Sequence, residues 1–90
     1  RRVLFRSRLR GDQPRYDFAR STGLPESAGL LLSDAIVKSA TRQGMTPFAA
    51  LGVLNTLDQR ERQKLGAITL TLGFNAARNR IDQAIALLPK

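Results

Sequence analysis

Ser39–Asn55, SATRQGMTPFAALGVLN, is the stretch on which the fold depends. Gly44 stands where a helix C-terminus favours a residue able to take positive φ. Thr46 followed by Pro47 supplies an N-cap and a first-turn proline, whose missing N–H would have had no helical partner in any case. One helix is therefore expected to end near Gln43 and another to start near Thr46. Ala40 lies four residues before Gly44, with Met45 one, Ala50 six and Val53 nine residues after it. A small residue at the helix contact, a glycine in the turn and apolar residues on the inner side of the second helix make two helices that must pack on each other.

This spacing is that of a helix-turn-helix. The run Gly44–Asn55, with its Val53-Leu54-Asn55 ending, resembles the first reading unit of lac-repressor-type regulators. The resemblance implies an all-α fold that binds duplex DNA, with the helix from Pro47 lying in the major groove.

Working outward, a helix is expected over Pro25–Gln43, with Ala28, Leu31, Leu32, Ala35, Ile36 and Ser39 at the spacing of one buried face. Leu30 and Val37 fall outside that stripe, so the helix is either central in a bundle or covers a partner, and a homodimer is an open expectation. Before it, a short helix is expected over Arg15–Thr22, ended by Gly23. Ala19, Gly23 and Leu24 stand in the same relation as Ala40, Gly44 and Met45, offset by 21 residues, and Pro25 and Pro47 follow closely in each case. This is an internal repeat of helix, glycine turn and helix. The run Ala19–Ser27 also resembles the turn of winged-helix regulators of the IclR type, departing from it at Gly29, where that pattern has a branched apolar residue.

After the turn, Ala50, Leu51, Leu54 and Leu57 face inward. Asp58 and Glu61 have capping-box spacing and restart a helix. The polar run DQRERQK, Asp58–Lys64, reads as a solvated, salt-bridged surface. In GAITLTLG, Gly66–Gly73, apolar Ile68, Leu70 and Leu72 alternate with Thr69 and Thr71, a strand-like period of two. With no second strong strand in the chain, a helix with Leu65, Ile68 and Leu72 inward is the expected form. Asn75 is then expected to cap a last helix, Ala76–Leu88, burying Ala77, Ile81, Ala84, Ile85 and Leu88, with Pro89 as its stop. The fold class is thus all-α, a compact bundle of four or five short helices containing a helix-turn-helix-like unit.

Composition narrows the chemistry. Ninety residues make one small domain with a core of limited size. The chain has no cysteine and no histidine, which excludes disulfides, Cys/His metal sites and a histidine base. Its apolar runs fall short of the ~20 residues that cross a bilayer, and neither a start methionine nor a signal peptide is present, so no membrane partner and a cytoplasmic location are expected. Residues 1–7, RRVLFRS, resemble the in-frame translation of a sequencing adapter, AGA CGT GTG CTC TTC CGA TCT. That resemblance implies a non-native segment and a natural protein that begins upstream of Arg8. Without Arg1, Arg2 and Arg6, the 15 cations become 12 against 7 carboxylates, and the net charge falls from +8 to +5. Residues 8–14, RLRGDQP, read as an arm or linker broken by Gly11 and Pro14, and residues 15–90 as a single helical domain.

No catalytic constellation is present: the carboxylates are scattered, and no phosphate-binding glycine loop occurs. The expectation is a protein that is not an enzyme, without cofactor or metal. GMTPFAAL followed by a helix and AITLTLGFNAARNR resembles a passage of condensation-type acyltransferases. That resemblance implies an inactive fragment, since their His-rich motif is missing, and a strand over residues 67–73. The leading expectation is DNA binding. Thr46, Phe48, Ala49 and Gly52 would face the major groove, and Lys38, Arg42, Arg78 and Arg80 would contact phosphate. Asn75, Arg78 and Asn79 would suit phosphate or base edges. Arg78 and Arg80 lie in first turns where the helix dipole disfavours cations, which suggests an anionic partner or a nearby carboxylate such as Asp82. The apolar side chains at Phe48, Ala49 and Gly52 give few hydrogen bonds to bases. The alternative is a helical protein-interaction or dimerisation module of a phage, plasmid or secretion system, which requires an exposed apolar patch.

Overall fold

Two short turns set the frame. At the end of the second helix, Met45 N–H donates to Ala40 O (3.0 Å) and Gly44 N–H to Thr41 O (3.1 Å). This is a Schellman closure, and it needs the φ of +104° that Gly44 adopts. Thr46 Oγ1 then accepts from Ala49 N–H and Pro47 takes the first helical position, so the next helix starts where the sequence predicts. In the second turn Gly73, at φ +97°, is at once the C-cap of one helix and the N-cap of the next.

The computed structural model describes residues 13–88. Residues 13–20 are helical (α1). They are followed by α2 (Glu26–Arg42), α3 (Pro47–Thr56), α4 (Gln59–Leu72) and α5 (Phe74–Ala86). The fold is all-helical, and no strand occurs among the described residues. The expectations for residues 1–12, including the adapter-like segment and most of the arm, lie outside the described residues, as does the stop at Pro89.

The helices form where the pattern placed them, with four corrections. First, α1 already includes Gln13 and Pro14, which were read as linker, and ends at residue 20 rather than 22. Thr22 leaves the helix because its hydroxyl donates to Ala19 O (3.0 Å) and accepts from Leu24 N–H (3.2 Å), a local turn that competes with another helical residue. Second, α5 begins at Phe74, and Asn75 lies inside it rather than capping it.

Third, the buried face of α2 is rotated. Gly29, Leu32, Ser33, Ile36, Ser39 and Ala40 are buried, while Leu31 is 60% exposed and Ala28 and Ala35 are only partly covered. The cause is α1: a Cβ on Gly29 would lie 2.7 Å from Ala19 Cα, so the helices meet backbone to backbone at this glycine. Fourth, the strand implied by the acyltransferase resemblance is absent, because residues 67–72 continue α4. Of the inward face expected for that helix, Leu65 is buried and Ile68 packs against the core, whereas Leu72, expected inward, is 72% exposed, as is Leu70 beside it at 71%.

α2 packs on α3 and α5, and α4 packs on α5. One core runs through all five helices, built on Phe18, Leu32, Ile36, Leu54, Leu65, Ile81 and Ile85. Gly66 on α4 brings that helix against the Thr22 carbonyl, where no Cβ would fit. No helix among the described residues is long and apolar enough to cross a membrane.

Candidate interaction surface

The residues expected to contact nucleic acid fall into three separate places. Lys38, Arg42 and Arg78 meet in a groove of about 220 Å³ between α2 and α5, alongside Asp34, Asp82 and Phe74. Carboxylates claim two of these cations. Lys38 Nζ lies 3.0 Å from Asp34 Oδ2, and Asp34 also pairs with Arg15 at 3.3 Å. Arg42 Nη2 donates to Asp82 Oδ1 at 3.1 Å, an oxygen that also accepts from the buried Ser39 hydroxyl at 2.6 Å. Gln43 completes this cluster, donating to Ser39 Oγ and to Asp82 O. Arg78, by contrast, is exposed and makes no ion pair among the described residues. Asn75 and Asn79 are exposed on the same helix.

Arg80 is elsewhere, between α4 and α5. Asp82, the carboxylate expected beside it, belongs to Arg42. Its partner is Glu61, held by two nearly parallel bonds: Nε to Oε2 at 3.0 Å and Nη2 to Oε1 at 2.9 Å. This fork-to-fork pairing uses the geometry by which arginine would otherwise grip a phosphate. It also corrects the capping box. Asp58 Oδ1 accepts from Glu61 N–H at 2.8 Å as predicted, but the Glu61 carboxylate goes to Arg80. Hydrogen bonding from Arg80 lowers the Glu61 pKa, burial opposes the shift, and the charges of Arg80 and Lys64 reinforce it. The Arg80 pKa is raised by the same contact.

The third place is α3. Thr46 is spent on the cap, its Oγ1 3.2 Å from Ala49 N. Phe48 is 89% exposed, and Ala49 is exposed beside it. Below them runs a groove of about 680 Å³ bounded by Met45, Ala49, Gly52, Val53, Thr56 and Leu88. Among the described residues no charged side chain lines this groove, and none occurs in α3.

One residue read as plain surface is not. Arg62 reaches back from the first turns of α4 to the end of α3, donating from Nε to Leu57 O and from Nη2 to Leu54 O, both at 2.8 Å. Its Nη1 meets Ser21 Oγ at 3.2 Å, and its guanidinium stands 5.6 Å from the Phe18 ring centroid. It satisfies carbonyls that the last turn of α3 leaves open and ties that turn to α1. The sequence signal was its position five residues after the α3 C-cap, where a cation is misplaced for its own helix and well placed for the preceding one.

Among the described residues no group of three or more Asp and Glu side chains is placed to hold a metal ion. No family model matches the chain, and no curated protein or solved structure is significantly similar to it.

Proposed function

We propose that this protein is a helical protein-interaction module that docks an uncharged, apolar helix of its partner against α3. The observation that carries this reading is Phe48, a large aromatic side chain 89% exposed on a helix without a single charge. Exposed aromatic and aliphatic surface beside an uncharged groove marks protein-binding faces, where aromatic anchors supply much of the affinity. A base-reading helix needs side chains that hydrogen-bond base edges. The outer side of α3 offers Phe48, Ala49 and Gly52 there, and Lys38, Arg42 and Arg80 are each paired with a carboxylate.

The test uses the full chain and Phe48→Glu, with circular dichroism confirming that both fold. Nile red, a neutral apolar dye, is expected to brighten with the native chain and to lose at least fivefold of that signal with the variant. Binding of a mixed-sequence DNA duplex, followed across a salt series, is expected to be indifferent to the substitution. A dye signal that survives Phe48→Glu overturns the reading. So does salt-dependent duplex binding that the substitution abolishes, which would restore α3 as a DNA-reading helix.

A further inference from the structure

Among the described residues, Arg60, Arg62, Lys64 and Arg78 are the cations without a carboxylate at ion-pair distance. Arg62 is spent on the carbonyls of Leu54 and Leu57. Arg60 and Lys64 share a site with Asp58 and Glu61 that has no apolar side chain in its lining. Arg78 differs, because it lines the groove between α2 and α5 together with Leu31, Ala35 and Phe74. Phe74 and Arg78 are four residues apart on α5 and so lie side by side on one helix face. Leu31, 60% exposed, lines the same groove from α2.

We propose that this groove binds a free monocarboxylate with a short aliphatic body, the carboxylate on Arg78 and the aliphatic part over Leu31 and Phe74. Charge sets the number of anionic groups. The lining holds three cations, Lys38, Arg42 and Arg78, against two carboxylates, Asp34 and Asp82, and those carboxylates are paired with Lys38 and Arg42. One positive charge is left over, and a guanidinium meets a carboxylate through two parallel bonds. The start of α5 adds field of the same sign, since no acidic residue stands in its first turn. A chain of phosphates suits the groove poorly, because Asp34 and Asp82 repel every charge beyond the first. Size limits the body. The groove's volume of about 220 Å³ is below the roughly 300–1,000 Å³ of clefts that hold drug-sized ligands, so it takes one short chain and not a helix. A glutamate between leucines in a peptide offers the same two groups on a bulkier backbone, which the size of the groove disfavours.

Proton–nitrogen correlation spectra of the full chain, titrated with sodium octanoate to about 20 mM at low salt, test this. The expected result is saturable shifts of the amides around Leu31, Phe74 and Arg78, with a dissociation constant on the order of 1 mM. Acetate, which lacks the chain, and octylammonium, which reverses the charge, should each bind at least tenfold more weakly. Arg78→Gln and Leu31→Asn change exposed side chains and should leave the rest of the spectrum in place, while each weakens octanoate at least threefold. Phe48→Glu, on α3, should not affect octanoate, which keeps this test separate from that of the α3 face. Absence of saturable shifts at these residues, or an affinity indifferent to Arg78→Gln, overturns the proposal. Octylammonium binding as tightly as octanoate overturns the anion and leaves an apolar crevice. Displacement of octanoate by a mixed-sequence DNA duplex overturns the carboxylate in favour of phosphate. The acetylated peptide Leu-Leu-Glu-Leu-Leu binding more tightly than octanoate overturns the free acid and assigns the carboxylate to a partner protein.

Discussion

Replacing Arg62 with alanine is expected to destabilise the fold by about 2–3 kcal/mol, a large share of the stability of a small domain. The guanidinium makes two 2.8 Å bonds to the carbonyls of Leu54 and Leu57. Hydrogen bonds from a charged group contribute about 1.5 kcal/mol or more each. The contact with the Phe18 ring adds about 0.5–1 kcal/mol. Because Arg62 is only partly buried, water recovers a fraction of the carbonyl bonding, which brings the net loss into the stated range. Urea unfolding followed by far-UV circular dichroism measures it. With a slope of about 1 kcal/mol/M, the midpoint should fall by ~2–3 M. Arg62→Met separates the causes, since it keeps an apolar stem over Phe18 and removes the donors. It should recover under half of the loss, and Arg62→Lys, which cannot reach two carbonyls with one fork, not much more. A loss below ~0.5 kcal/mol for Arg62→Ala, or a methionine variant as stable as the native chain, would show that the guanidinium is a bystander.

Two further outcomes follow from the contacts between helices. Glu61 has a lowered pKa in the fold, so its pairing with Arg80 stabilises fully above the ordinary carboxylate value of 4.5 and is lost as pH falls through the depressed value. With side-chain exposures of 19% and 38%, the pair should be worth about 1 kcal/mol. Urea midpoints between pH 3 and pH 6 should accordingly vary less steeply in Glu61→Gln than in the native chain, and parallel profiles would disprove the linkage. Gly66→Ala drives a methyl group into the Thr22 carbonyl and should cost about 3 kcal/mol in thermal melts despite alanine's better helix propensity. A rise in melting temperature would contradict the close approach of α4 to the turn that follows α1.

Much of the fold could be read where local chemistry decides it. Gly44, Thr46 and Pro47 specify their turn through backbone conformation and capping, and Asp58 specifies the start of α4, all within a few residues. What was not legible depends on residues distant in sequence. The run from Gly29 to Val37 is apolar nearly all round, so its periodicity admits several inward faces. The choice was made by Ala19, whose backbone needs Gly29 beneath it. Asn75 looked like a cap because Asn caps helices, while Gly73, which can end one helix and begin the next in a single residue, carries no such signature.

The candidate site was least legible, since the pairing of Lys38, Arg42 and Arg80 depends on carboxylates 4 to 40 residues away. Arg80 and Glu61 are separated by 19 positions, and Arg42 and Asp82 by 40. A list of arginines does not show which are already neutralised. The uncharged composition of α3 could be read directly, and its meaning changed only once Lys38, Arg42 and Arg80 were seen to be paired with carboxylates.

The seats of α1 on Gly29 and of the turn after it on Gly66 bear on how this sequence can drift. Leu32 and Ile36 lie among side chains that can change rotamer, so a related apolar residue can be absorbed there by small adjustments in its neighbours. Main chain against main chain has no such slack. At Gly29 and Gly66 every replacement adds at least one carbon where Ala19 or Thr22 already stands, and the only escape is to move a whole helix. Divergent copies of this chain can therefore exchange much of their interior while these two positions stay closed to all but one amino acid.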